Sequence, residues 1–206
     1  MKSNSLTDKK IAILATNGFE KSELFEPKKA VEASGAEVDV VSIKSGKIKS
    51  WDKKDWGKPI EVDVTLKSAS AEDYDGLLLP GGVMNPDALR INDDAIEFIK
   101  AFVDAGKPIG AICHGSWSLI EARAVSGKTM TSWPSLKTDL ENAGATWVDA
   151  EAVVDGTLVT SRKPEDIPAF CERFIQLVMG SAPTMAATKK FPLKKPKAKT
   201  ASLGRH

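Results

Sequence analysis

Apolar residues in this chain fall into short β-branched runs separated by stretches in which they recur every three or four positions. Residues 10–16 form the first run and stop at the turn signal Asn17-Gly18, which predicts a strand. Residues 22–34 place Leu24, Phe25, Ala30, Val31 and Ala33 among charges, with Pro27 in the first turns and Gly35 as a stop, which predicts an amphipathic helix. Residues 37–43 read as a second strand. Residues 44–66 are broken by Pro and Gly, and within them 60–64 alternates like a half-exposed strand. Residues 75–80 are a buried strand ending at Gly81-Gly82. Residues 93–105 carry Ile96, Phe98, Ile99, Phe102 and Val103 at helical spacing, with Gly106 as the stop. Residues 108–112 are a short apolar strand, and a helix follows over 115–124. A helix over 135–143, strands over 146–154 and 158–161, and a helix over 164–179 complete the series. Strands that alternate with helices and are apolar throughout predict an α/β fold with a mostly parallel sheet covered on both faces.

The length of 206 residues suits one domain with a real core. An apolar share of 42% and a charged share of 28% belong to an ordinary globular chain. No apolar run approaches the ~20 residues a membrane helix needs, and no apolar signal-peptide core follows the polar N-terminus, so the expected location is the cytoplasm without membrane contact. The net charge of +1 conceals an asymmetry. Residues 181–206 hold seven basic and no acidic side chains, which leaves 22 basic against 28 acidic residues in the rest. With prolines scattered among its lysines and no apolar period, this segment reads as a disordered basic tail. It is either a solubilising tail or a weak contact for a polyanion. The expected organisation is therefore an extension over 1–8, a domain over 9–180 and a tail over 181–206.

Two cysteines and two histidines limit the chemistry. A disulfide framework and a zinc site built from several Cys and His ligands are both excluded by these counts. Cys171 lies inside an amphipathic helix and reads as a packing residue. Cys113 is different: in Ile112-Cys113-His114-Gly115 a strand ends, a cysteine sits on a tight turn among small residues, and a helix begins at once. That is the layout of a nucleophile elbow, with helix N-terminal amides favouring thiolate. Any ordered imidazole must come from His114, because His206 is the last residue. Two further turns follow strand ends. Gly81 and Gly82 in Leu79-Pro80-Gly81-Gly82, together with Gly115, offer amides to a developing oxyanion or form a plain tight turn. Glu20 and Glu23 offer carboxylates to the sulfur or lie solvated at the surface. No phosphate-binding loop or dinucleotide fingerprint is present, and no cofactor is implied.

Four ordered motifs, Ala111-Ile112-Cys113-His114-Gly115, Leu77-Leu78-Leu79-Pro80-Gly81-Gly82, Gly18-Phe19-Glu20-Lys21-Ser22-Glu23-Leu24 and Thr160-Ser161-Arg162-Lys163-Pro164-Glu165-Asp166, resemble the PfpI family. This is the peptidase-like and stress-protein branch of the superfamily that includes the Parkinson disease deglycase. The resemblance covers residues 9–180 and implies a flavodoxin-like three-layer sandwich related to the class I glutamine amidotransferase domain. It places the nucleophile on Cys113, its histidine on His114, and an acid that reaches the pair from a neighbouring subunit on Asp87. The glutamate that hydrogen-bonds the cysteine falls on Glu20 or Glu23, with Glu23 favoured for the sulfur and Glu20 polarising the same pocket. A homodimer or higher homo-oligomer follows from the Asp87 assignment. Ser116 stands where the family commonly has proline. Glutamine hydrolysis of the amidotransferase kind needs a later histidine, and His206 is the only candidate.

Three functions are expected of such a site. The first is thiolate catalysis on small reactive carbonyls or their adducts, of the glyoxalase or deglycase kind. The second is a cysteine peptidase acting on peptides through Cys113, His114 and a partner's Asp87. The third is a non-enzymatic redox-sensing or chaperone-like stress protein in which Cys113 is oxidised. Adjacent Cys and His side chains need not face each other, and a His114 that points away shifts the proton transfer to the glutamate.

Overall fold

The computed structural model describes residues 5–180. The chain runs through β1 (Lys10–Leu14), β2 (Phe19–Glu20), α1 (Lys21–Ala33), β3 (Glu37–Ser42), β4 (Lys47–Asp52), β5 (Asp55–Glu61), β6 (Val64–Thr65) and β7 (Gly76–Leu79). It continues through α2 (Met84–Arg90), α3 (Asp93–Asp104), β8 (Ile109–Ile112), α4 (Ser116–Glu121), β9 (Thr129–Met130) and α5 (Lys137–Asn142). It ends with β10 (Thr146–Trp147), β11 (Ala152–Asp155), β12 (Leu158–Ser161) and α6 (Ile167–Val178).

Seven strands make the central sheet in the order β11-β12-β8-β7-β1-β3-β6. All neighbours are parallel except β11 and β12. Successive strand side chains point to opposite faces, and the core divides accordingly. Ala12, Leu14, Leu77, Leu79, Ile109 and Ala111 meet Phe98, Ile99, Phe102, Leu119 and Leu140 from α3, α4 and α5. Ile11, Ile13, Val40, Leu78, Ile112 and Val159 meet Leu24, Val31, Phe170, Phe174 and Val178 from α1 and α6. This is the three-layer, doubly covered α/β sandwich that the sequence predicts. Each fully buried phenylalanine contributes roughly 1.5–3 kcal/mol of transfer free energy. Leu6, ahead of the expected domain start, is itself buried in the second cluster. The expected tail over 181–206 lies outside the described residues.

Two segments depart from the sequence reading. The alternating run over 60–64 is split between two sheets. Its first part closes β5, which pairs antiparallel with β4, while Val64 opens β6 on the edge of the main sheet. The break is held by the Asp63 N–H donating to the Val40 carbonyl and by the Val40 N–H donating to the Asp63 carboxylate. The strand expected over 146–154 is likewise two strands, β10 in a small sheet with β9 and β11 on the main sheet. A helix over Met84–Arg90 that the pattern did not predict follows the Gly81-Gly82 turn.

From β1 the chain proceeds outward to β3 and β6, then returns to β7 on the other side of β1 and proceeds to β8 and β12. The reversal lies between β1 and β7, the position where open α/β sheets bind ligands beyond their strand ends. The turns after β1, β7 and β8 therefore converge there.

Candidate active site

Cys113 follows β8 directly and has φ of 60°. A non-glycine residue in the left-handed region costs of order 1–2 kcal/mol and persists only where its surroundings impose it. Here the surroundings are tight. Residues Cys113–Gly115 form a single 3-10 turn and α4 begins at Ser116. A Cβ at Gly115 would collide with the Leu79 carbonyl oxygen on β7. The Trp133 N–H donates to the Cys113 carbonyl at 3.2 Å, tying a second loop to the turn. The cysteine is 7% exposed.

Glu23 arrives from the first turn of α1 and is 2% exposed. The Gly81 N–H donates to its Oε2 at 2.9 Å. A Cβ on Gly81 would fall on that oxygen, on Cys113 Cβ and on the His114 nitrogen, so only glycine lets the three segments meet. The same glycine position brings the carboxyl beside Cys113. Its Oε1 has no hydrogen-bond partner among the described residues. Burial, then the charge of Glu20, push the Glu23 carboxyl up to about 8. Glu20 is itself raised by burial, and its Oε1 accepts from Ser22 Oγ at 3.3 Å.

Burial and then the Glu23 charge push the Cys113 thiol up, while the N–H groups of His114 and Gly82 draw it back toward thiolate. The two groups are coupled, and their protons come off as a pair. With Glu23 protonated at neutral pH, its charge no longer opposes the thiolate and its proton can serve the sulfur. Gly82 takes φ of 76°, where a side chain would be strained, and a Cβ there would collide with the Gly18 carbonyl oxygen.

The His114 ring turns back to its neighbour: Nδ1 lies 3.2 Å from Cys113 Sγ. Nε2 lies 3.4 Å from Ser135 Oγ. Trp117 meets the ring edge to face at 5.1 Å between centroids, and Trp133 lies nearly parallel to it at 6.2 Å. Burial lowers the imidazole below its ordinary value, so the ring is a neutral base at neutral pH.

The sequence profile of the DJ-1/PfpI family matches residues 9–177. The chain belongs to the DJ-1/PfpI family. It is 43% identical over 171 residues to general stress protein 18 of Bacillus subtilis, covering 82% of this chain and 98% of that one. It is 39% identical over 171 residues to protein/nucleic acid deglycase 2 of Escherichia coli, with the same coverage of 82% and 98%. Among solved structures it resembles a two-domain protein from Anabaena variabilis with DJ-1/ThiJ/PfpI-like and ferritin-like domains, at 34% identity and a TM-score of 0.78. That match covers 84% of this chain and 48% of the longer one. Drosophila melanogaster DJ-1beta superposes with a TM-score of 0.76 at 26% identity, covering 84% and 91%.

Within this DJ-1/PfpI domain, Cys113, His114, Glu23, Gly81, Gly82 and Gly115 meet at one point, with Glu20 just behind Glu23. Asp87 does not join them. It is exposed on α2, and no hydrogen bond or ion pair to its carboxylate is found among the described residues. Cys171 is buried in α6, its thiol pushed up to about 12 by burial. Ser116 opens α4 as proline would, but its hydroxyl is buried without a hydrogen-bond partner among the described residues. No group of three or more His, Cys, Asp or Glu in the described residues converges as metal ligands would.

Sequence reasoning missed four residues of this DJ-1/PfpI site. Asn85 is fully buried and clamps the glycine turn: Nδ2 donates to the carbonyls of Pro80 (2.9 Å) and Gly81 (3.2 Å), and Oδ1 accepts from the Thr16 N–H at 2.7 Å. An asparagine three residues past a double glycine was the available signal. Trp117, three residues on, and Trp133 and Ser135 surround His114; no local pattern marks the last two, about twenty positions away, as its neighbours.

Proposed function

We propose that this chain is a cysteine-dependent stress-protection enzyme of the cytoplasm that acts on small reactive carbonyls or on the adducts they leave on thiols and amines. The observation that carries the reading is Glu23, a buried carboxyl fixed by the Gly81 N–H beside Cys113 and raised toward its protonated form by burial. A carboxyl so placed can give a proton and take one back at the same carbon centre. Relatives named as deglycases, including those of Escherichia coli and Pyrococcus furiosus at 39% and 37% identity, support it. So does the enclosure of the sulfur, which suits a small electrophile.

With an α-ketoaldehyde, the Cys113 sulfur adds to the aldehyde carbon and the carbonyl electron pair moves to oxygen. Glu23 protonates that oxygen to give a hemithioacetal. As a carboxylate it then removes the proton from the former aldehyde carbon, whose electron pair forms the enediolate, and returns it to the adjacent carbon while the hydroxyl proton passes to the neighbouring oxygen, leaving a 2-hydroxy thioester. Water releases a 2-hydroxy acid and restores the thiol. The amides of Gly82 and His114, which favour the thiolate, stabilise the oxyanion. His114 Nδ1 takes the thiol proton at the start.

The contact of 3.2 Å between Cys113 and His114 favours a second reading, a peptidase in which Asp87 of a second copy orients the histidine. The exposure of Asp87 on α2 is compatible with that assembly. Offering the enzyme a methylglyoxal–thiol adduct and a peptide amide side by side separates the two. Thiol release without amide cleavage is expected, and amide cleavage alone establishes the peptidase.

A further inference from the structure

The outer nitrogen of His114 has a partner from its own chain. Ser135 sits in the single turn Pro134–Leu136. That turn is anchored on both sides. The Trp133 N–H holds the Cys113 carbonyl at 3.2 Å, Leu136 is fully buried, and Trp147 Nε1 donates to Ser132 Oγ at 3.1 Å. The Ser135 side chain is exposed, yet its backbone is fixed to the turn that carries the cysteine. Its Oγ stands 3.4 Å from Nε2 while Nδ1 faces the sulfur at 3.2 Å.

We propose that Ser135 is a positioning residue that fixes the tautomer of His114 from within the same chain. The inference rests on Cys113 being the nucleophile. A neutral imidazole carries one proton, and a hydroxyl can accept it. With Ser135 Oγ accepting from Nε2–H, Nδ1 turns its lone pair to the thiol. The S–H bond then breaks, its electron pair stays on sulfur, and an N–H bond forms at Nδ1. The imidazolium so formed keeps both contacts, donating from Nδ1 to the thiolate and from Nε2 to Ser135. A long contact in the free enzyme is ordinary for a hydrogen bond that tightens when substrate binds.

The other charged groups around the ring do not compete for its nitrogens. Glu20 and Glu23 stand at the start of α1, and neither hydrogen-bonds the ring. Beyond Trp117 are Arg90, whose guanidinium sits over the indole at 5.3 Å, its ion-pair partner Glu121, and Asp139, which accepts from the indole N–H at 3.0 Å.

Imidazole nitrogen NMR tests this directly, because the chain has two histidines. Wild type is expected to show His114 as the Nε2–H tautomer, and Ser135→Ala a mixture. Alkylation of Cys113 by iodoacetamide in Ser135→Ala is expected to slow about ten-fold below about pH 8 and to converge with wild type as hydroxide takes over the deprotonation. Ser135→Thr, which keeps the hydroxyl, should restore both. An unchanged tautomer and alkylation profile in Ser135→Ala overturns the proposal, as does a Ser135→Thr variant that behaves like Ser135→Ala. These readouts need no turnover. A wild type inert toward methylglyoxal whose tautomer still depends on Ser135 would sink the carbonyl reading and leave the positioning role standing.

Discussion

Nδ1 of His114 lies 3.2 Å from Sγ of Cys113, its immediate neighbour in sequence. On a strand, consecutive side chains point to opposite faces and could not meet in this way. The φ of 60° at Cys113 turns the chain before His114, so backbone strain at the cysteine is what pairs the two groups.

The strain is imposed by close backbone approach, which makes the glycines the first test. Gly115→Ala forces a methyl group onto the Leu79 carbonyl, and Gly81→Ala places one between Glu23 and Cys113. Each is expected to lower stability by about 1–3 kcal/mol, as overpacking does. Urea unfolding of both variants checks it; wild-type midpoints would show that the turns relax freely.

Asn85 satisfies three backbone groups with one side chain. Asn85→Ala leaves the Pro80 and Gly81 carbonyls and the Thr16 N–H short of that partner, at an expected cost of about 2–3 kcal/mol. Faster amide exchange at Thr16 should accompany it, measured by hydrogen–deuterium exchange. Asn85→Asp is expected to lose the two donated bonds as well and to be no better.

Stability should depend on pH through Glu23. Burial holds its carboxyl at about 8 in the folded chain, against an ordinary 4.5. The folded state binds the extra proton between those values. The stabilisation is therefore full below the unfolded value and lost as pH rises through about 8. His114, lowered by burial from 6.5, works in the opposite sense only below that ordinary value. Between neutrality and pH 8, stability is expected to fall by up to about 1.4 kcal/mol per pH unit. Glu23→Gln should flatten this part of the curve. Denaturant titrations across the range check it, and equal slopes in the two proteins would contradict the raised carboxyl.

Asp87 touches none of the site within one chain. If a second copy supplies it, Asp87→Asn should lower turnover several-fold in the assembled protein while leaving unfolding within about 0.5 kcal/mol of wild type, as for an exposed substitution. Light scattering and activity measured over the same dilution series check the link. Activity that follows the monomer concentration would remove Asp87 from the mechanism.

The sheet, the two helical layers and the cysteine turn were legible because their signals are local. Apolar runs such as 75–80 and 108–112 are bounded by glycine or proline, and Cys113 stands between a strand and a helix. The β4–β5 hairpin was not legible. Its turn, Lys53-Lys54, lacks the usual Asn-Gly signal even though Lys53 takes φ of 60°, and β5 carries Gly57 and Pro59 and is largely solvent-facing. The helix Met84–Arg90 is short and contains Pro86, so no apolar period announces it. At the site, sequence left Glu20 and Glu23 open. Burial separates them: Glu23 is held by the Gly81 amide, whereas Glu20 is half-buried behind it. Two partners of His114, Trp133 and Ser135, come from a loop about twenty residues on, a relation that only tertiary packing creates.

The central claim is that Cys113 and Glu23 perform carbonyl chemistry together. Lactate formation from methylglyoxal without glutathione tests it most directly, in wild type, Cys113→Ser and Glu23→Gln. The account predicts steady lactate production by wild type and a loss of at least about 100-fold in both variants, as for removal of a nucleophile or of its acid–base partner. Lactate formation undiminished in Cys113→Ser would contradict it.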